Sequence, residues 1–341
     1  MYMKKFLFII IAILLLAGCS TKDQAEDEQD DETVMKDSDG SSGVFPLTGI
    51  STKEENARRA VAVMINNHPQ ARPQSGLSEA DIVYELLAEG DITRLLAVFQ
   101  SETPEQIGPV RSARDYYIEL AKGLDCLYVC HGNSPEAKTM LDKGYIDNLN
   151  GLYYDGTLFQ RTSDRKAPHN SYTSFDNIEK GAEEKGYDLT GAPEPFAFLT
   201  EEEEKGLQGE TASKIDVIYG ESSSNVQYEY EKTEEKYTRY SDGEQTVEYQ
   251  SAKPVLLDNI FIIEAAHQVV DNKGRRKIDL KSGGKGYLLQ KGKINEVDWV
   301  NEDERIIPVT NGKEVGLVTG KTWVNVIPAS PGLDKSVSFS Q

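Results

Sequence analysis

The chain is 341 residues long, 38% hydrophobic and 28% charged, which gives room for about two folded domains. That composition excludes a polytopic membrane protein, a collagen-like repeat and wholesale disorder. With 57 Asp and Glu against 37 Lys and Arg the formal charge is -20, so the chain as a whole is repelled by nucleic acid and by anionic membrane surfaces.

Met1 to Lys5 is short and basic, and Phe6 to Ala17 is an unbroken apolar run of 12 residues. The pair reads as the first two regions of a secretory signal, too short to span a bilayer as a permanent helix. The run ends in Leu16-Ala17-Gly18-Cys19, which resembles the bacterial lipobox. That resemblance implies removal of residues 1–18 and lipidation of Cys19 as the mature N-terminus, with each buried CH₂ of acyl chain adding about 0.8 kcal/mol of membrane affinity. Residues 20–43 carry nine acids and two lysines and almost nothing apolar, so 19–43 is expected to be a disordered acidic tether. Beyond Cys19 only Cys126 and Cys130 remain. On a strand they share one face about 13 Å apart, out of bridging range, so no disulfide is expected.

From Val44 the pattern turns globular. Arg59 to Ile65 is a β-rich run that ends in the loop Asn66-Asn67-His68-Pro69. Ile82 to Glu89 and Ile92 to Phe99 flank Gly90-Asp91, the signal for a two-residue hairpin turn. Pairing symmetric about that turn places Ile82, Tyr84, Leu86 and Ala88 on a core face with Phe99, Ala97, Leu95 and Thr93, and puts Glu85 and Arg94 on a mixed opposite face. Helical spacing follows over Ser112 to Lys122, then a strand at Leu127 to Val129, a helix from Ser134-Pro135 to Lys143, and another from Ser174 to Lys185, each helix stopped by a glycine. Residues 191–212, with two prolines and four consecutive glutamates, read as a linker. Beyond it Asp242-Gly243, Lys291-Gly292 and Asn311-Gly312 separate β-patterned runs. Trp299 and Trp323 sit in such runs as core residues rather than a sugar-stacking platform. The expected fold is α+β: a mixed-sheet α/β domain over 44–190, then a mainly antiparallel β domain over 213–330, with 331–341 as a tail.

Four segments then carry a resemblance: Val63-Met64-Ile65-Asn66-Asn67, Arg72 through Glu85, Gly108-Pro109-Val110-Arg111-Ser112-Ala113-Arg114, and Gly320-Lys321-Thr322-Trp323. Together they resemble the YerB-like lipoprotein family of Gram-positive bacteria, over about residues 45–330. The resemblance implies an extracytoplasmic lipoprotein of two domains and supplies no reaction.

Candidate ligand-binding residues come from three places. Arg111 and Arg114 precede a helix, where two guanidinium groups can clamp a carboxylate or phosphate, unless they pair structurally with Glu85, Glu89 or Asp81. His131 and Ser134 sit at a strand end, where ligands bind in α/β sheets, although Ser before Pro at a helix start is chiefly a cap. The basic loop Arg161 to Asn170 supplies Arg161, His169 and Asn170. Four histidines without helical i, i+4 spacing give no zinc pattern, and no phosphate loop, dinucleotide fingerprint or hydrolase elbow is present, so no cofactor is expected. The leading reading is a membrane-anchored binding or scaffold module with an Arg/His-lined anion pocket, facing an envelope protein or wall polymer and not nucleic acid. The rival is a wall-directed hydrolase or transferase using His131 or His169 with Arg111 and Arg114. A third reading makes Glu85, Arg94, Arg111 and Arg114 one buried ion network without a ligand.

Overall fold

Turn chemistry sets the register of the central hairpin. In the computed structural model, which describes residues 43–53, 58–220 and 222–341, the chain reverses over three residues, Glu89-Gly90-Asp91. The Ala88 N–H donates to the Ile92 carbonyl at 2.8 Å, and Gly90 adopts a left-handed φ of 57°. Tyr84 therefore pairs with Leu96 and Glu85 with Leu95, one residue out of step with the two-residue turn expected from Gly90-Asp91. A slip of one moves every cross-strand partner to the other face. Ile82, Tyr84 and Leu86 share their face with Val98, Leu96 and Arg94, while Val83, Leu87, Leu95, Ala97 and Phe99 line the other. Both faces are buried, so apolar alternation carried no register information here.

The hairpin strands, Ile82–Leu87 and Thr93–Phe99, stand in the middle of a twelve-stranded mixed sheet. On one side follow Val61–Asn66, Leu127–Cys130 and Asn148–Asn150, parallel to one another. On the other side Thr322–Pro328 pairs parallel with Ile82–Leu87 and with Asn259–Ala265, and Gly284–Gln290, Lys293–Glu302 and Arg305–Thr310 continue antiparallel. The strand Thr322–Pro328 thus joins the N-terminal strands and the later β segment into one sheet, and the described residues pack as one compact unit.

The helices Asp115–Gly123, Pro135–Asp142 and Phe175–Lys185 form where helical spacing placed them. Ser174 caps the last by accepting from the Asn177 N–H, and Gly186 ends it with φ 70°. The expected hairpin turns at Asp242-Gly243, Lys291-Gly292 and Asn311-Gly312 all have positive φ at both residues, the type I′ pattern. The fold is α+β, as the sequence indicated. Residues 191–212 carry a capping-box helix, Glu201–Lys205, and a short strand, Glu210–Thr211, paired to the start of the strand Lys293–Glu302 in the large sheet. Residues 331–341, expected as a tail, instead form the helix Leu333–Ser336 and the strand Val337–Ser340, which pairs with Lys214–Val217 in a second, antiparallel sheet. Leu333 and Val337 anchor that end in the core. The segments expected as signal peptide and tether, with Cys19, lie outside the described residues up to residue 42.

Where the second sheet covers the first, a carboxylate is buried. Glu85 is 0% exposed and its partner Arg239, on the strand Lys236–Ser241, is 1% exposed, with their charged atoms 2.8 Å apart. Glu85 Oε2 also accepts from Trp323 Nε1 at 3.0 Å, and Oε1 accepts from Thr93 Oγ1 at 2.9 Å and Asn67 Nδ2 at 3.1 Å. The Arg239 guanidinium lies 4.4 Å over the Trp323 ring and donates to Thr246 Oγ1 at 2.7 Å. Both tryptophans are core residues, at 0 and 1% exposure. Cys126 and Cys130 are likewise buried and unpaired, and burial pushes the Cys130 thiol up to about 12. Removing one partner of a buried ion pair strands the other charge, so Arg239→Met should lower stability by about 3–5 kcal/mol. Urea unfolding followed by tryptophan fluorescence reads this directly, and a loss below about 1 kcal/mol would show that the pair carries no such burden.

Candidate functional site

The candidate residues divide into two groups. Arg94 and Arg114, 6 and 7% exposed, both bind the Glu89 carboxylate: Arg94 at 2.6 Å, Arg114 through Nε at 2.7 Å and through a second, shorter contact. Their remaining nitrogens donate to the Ser112 and Ala113 carbonyls. Burial alone would raise the Glu89 carboxyl, but the two arginines outweigh it and hold it below its usual range. These side chains are structural. The reading of Glu85, Arg94, Arg111 and Arg114 as one network is corrected: Glu85 pairs with Arg239, Arg94 and Arg114 pair with Glu89, and Arg111 has neither partner. Arg239 could not be foreseen because it lies 154 residues from Glu85 in sequence. Ser134 is a cap, accepting from the Ala137 N–H at 3.2 Å.

The second group gathers at the carboxyl ends of the parallel strands Val61–Asn66 and Leu127–Cys130, which run side by side. His131 follows the latter. His68 follows the former, in the loop that the sequence places after Ile65. Between them passes the segment of Arg111, whose N–H donates to the Met64 carbonyl at 2.8 Å and whose carbonyl accepts from the His131 N–H at 3.0 Å. The basic loop closes over this edge, so His169, Asn170 and Arg161 arrive beside His131 and His68.

Each contact fixes a proton position. Arg161 approaches His131 Nε2 at 3.2 Å, and an arginine can only donate, so Nε2 accepts. The His131 proton is then on Nδ1, donating to Ser171 Oγ at 2.7 Å. Arg161 is itself held by Asp155 at 2.9 Å and by Asn170 Oδ1 at 3.1 Å, and Asn170 donates on to the Thr162 carbonyl. The His131 ring lies where Gly151 has no side chain: a Cβ there would stand 2.4 Å from Nδ1. His169 stacks on His68, with ring centroids 4.6 Å apart and planes at 30°, and Asn66 Nδ2 meets His169 Nδ1 at 2.9 Å.

Charge in this cluster is one-sided. Burial, then Arg72 and Arg111, pull the His68 imidazole below its ordinary value. Burial, then His68, Arg111 and Arg165, do the same to His169. Burial and Arg161 lower His131, against a raising contribution from Asp155 and with Arg111 adding to the lowering. Arg111 thus stands within electrostatic range of three histidines. Its guanidinium is half-buried and, among the described residues, has no hydrogen-bond or ion-pair partner. The nearby Arg165 is by contrast saturated, donating to the Ala71 and Pro73 carbonyls and to Tyr172 Oη and lying 4.4 Å over the Tyr249 ring. No group of three or more His, Cys, Asp or Glu among the described residues has metal-holding geometry. A cavity of about 480 Å³ lies elsewhere, lined by Glu264, Tyr287, Glu296 and Asp298 among others.

If Ser134 only caps its helix, Ser134→Ala should cost about 1 kcal/mol of stability. A fluorophosphonate probe should then leave the folded protein unlabelled. Stoichiometric labelling at Ser134 would establish a nucleophile instead.

Comparison with known proteins agrees with this architecture. Residues 47–188 match the N-terminal domain and residues 215–324 the C-terminal domain of the family described as protein of unknown function (DUF3048). Residues 3–20 match the prokaryotic membrane lipoprotein lipid attachment site. YerB of Bacillus subtilis (strain 168) is 47% identical over 332 residues, 96% of each chain. The crystal structure of the Bacillus subtilis YerB protein superposes with a TM-score of 0.81 at 50% identity, covering 87% of this chain and 99% of that one. No helix among the described residues is long and apolar enough to cross a membrane.

Proposed function

Because the chain belongs to the DUF3048 family and bears a lipoprotein attachment site, we propose that it is an anion-recognising module held at the extracytoplasmic face of the membrane through lipid on Cys19. Its ligand is an oxyanion carried by a wall polymer, bound at Arg111 with His68 and His169. The observation that carries this reading is the half-buried Arg111 guanidinium, which forms no ion pair or hydrogen bond among the described residues of a chain with net charge -20, Glu89 acting on it only at a distance. An arginine removed from water ordinarily requires a carboxylate or phosphate to offset its desolvation. Arg94 and Arg114 meet that requirement within the fold through Glu89, whereas Arg111 is left for a ligand.

Binding is favoured over hydrolysis because a general base needs a free ring nitrogen. Both nitrogens of His131 are engaged, by Ser171 and Arg161, the unprotonated Nδ1 of His169 is engaged by Asn66, and Ser134 serves its helix. The acidic tether suits the same role: it repels the anionic membrane surface and holds the module away from it.

A charge-assisted hydrogen bond to arginine contributes about 1.5–3 kcal/mol, at least a tenfold effect on affinity. Calorimetric titration with sulfate and with purified anionic wall polymer should therefore show Arg111→Gln binding at least tenfold more weakly, with a melting temperature within a few degrees of the parent. Unchanged affinity would remove Arg111 from the site, and a large fall in melting temperature without loss of binding would make it structural.

A further inference from the structure

We infer that the site selects an oxyanion whose liganding oxygens are all acceptors, a sulfate or a phosphodiester, and discriminates against one that carries a proton. The inference rests on the anion-site reading above and follows from the hydrogen bonds that fix the two stacked rings.

The His68 backbone N–H donates to Asn66 Oδ1 at 3.1 Å, which fixes that amide's orientation and turns its Nδ2 toward His169. An amide nitrogen only donates, so His169 Nδ1 accepts and its proton sits on Nε2. His68 Nδ1 accepts from the Gln70 backbone N–H at 3.1 Å, inside the turn Pro69–Ala71, so its proton is on Nε2 too. Among the described residues neither Nε2–H, nor any N–H of the Arg111 guanidinium, meets an acceptor. The site is a set of donors, and a ligand O–H placed against it would find nothing to accept its proton.

The geometry opposes a second proton on either ring. A second proton on either Nδ1 would face a donor that cannot turn round. The surrounding charges work in the same direction: Arg72 and Arg111 face His68, and His68, Arg111 and Arg165 face His169, with no carboxylate acting on either ring. Arg111 is faced by Arg114 and Glu89, and Glu89 is already bound by Arg94 and Arg114. Arg72 is faced by Arg239 and by Glu85, Asp242 and Glu244. Asp155 acts on His131 and is bound to Arg161.

This determines the sign of the pH dependence. A phosphomonoester loses its last proton near pH 6, so its fully ionised fraction rises about tenfold from pH 5 to pH 7. Sulfate and a phosphodiester carry no proton anywhere in that range. Titrating the full-length protein in detergent with methyl phosphate, dimethyl phosphate and sulfate at both pH values is therefore decisive. Methyl phosphate should bind about tenfold more tightly at pH 7 than at pH 5, while the other two should change by less than about twofold; whichever of those two binds more tightly identifies the ligand class. His169→Gln, which keeps a side-chain N–H donor, should retain sulfate binding that His169→Leu loses. Sulfate binding that tightens severalfold toward pH 5, or methyl phosphate binding that is flat, overturns the donor-only site while leaving an anion site in place. Failure of all three probes to bind at either pH overturns the anion-site reading itself.

Discussion

One buried carboxylate organises both halves of this molecule. Glu85 lies in the middle of the large sheet and is fully buried, so its charge must be met by the donors that surround it. Thr93 comes from the adjacent hairpin strand, Trp323 from the strand that closes the sheet, Arg239 from the second sheet and Asn67 from the loop after Val61–Asn66. Satisfying Glu85 therefore positions the second sheet against the first. It also positions the candidate site, because Asn67 lies between Asn66, which holds His169, and His68, which stacks on it. Asn67 Oδ1 in turn accepts from Arg72 and Gln74, and Arg72 donates to the Ser223 carbonyl of the later segment. The loop that carries His68 is thus tied to elements far apart in sequence.

The same network explains what the sequence revealed and what it withheld. Local signals were reliable: capping serines, helix-ending glycines and Asn-Gly-type turns have physical causes confined to a few residues, and Ser134, Gly186 and Asn311-Gly312 do what their types dictate. The hairpin register was not legible, because a central Gly-Asp fits a two- or a three-residue turn and both strand faces are buried. The tail at 331–341 carries a readable alternation, Val337-Ser338-Phe339-Ser340, but too short a run to weigh against its terminal position. Of the site, the segments of Arg111, His131 and His169 were legible as polar residues at strand ends and in a basic loop. His68 and Asn66 were not, since only the fold brings that loop beneath His169. Nor could sequence separate Arg111 from Arg114: three residues apart and identical in type, they differ only in which one reaches Glu89.

The proposed anion site requires an acidic protein to overcome its own field locally. Here the means is to satisfy the nearest acids in advance. Glu89 is occupied by Arg94 and Arg114, Asp155 by Arg161, and Asp164 accepts from Tyr249 Oη at 2.5 Å. What remains half-buried without such partners is the Arg111 guanidinium, beside two imidazoles whose Nε2–H groups meet no acceptor among the described residues, and such a set would recognise an anion by hydrogen-bond geometry more than by net charge.

The most direct test is the protonation state of the rings themselves. With four histidines in the chain, nitrogen-15 NMR of the imidazoles can assign each tautomer at neutral pH, before and after addition of sulfate. Expected are Nε2–H forms for His68 and His169, an Nδ1–H form for His131, and sulfate-induced shifts at the Nε2 nitrogens of His68 and His169. An Nδ1–H form at either stacked ring, or sulfate shifts that leave both rings unmoved, would contradict the donor site described above.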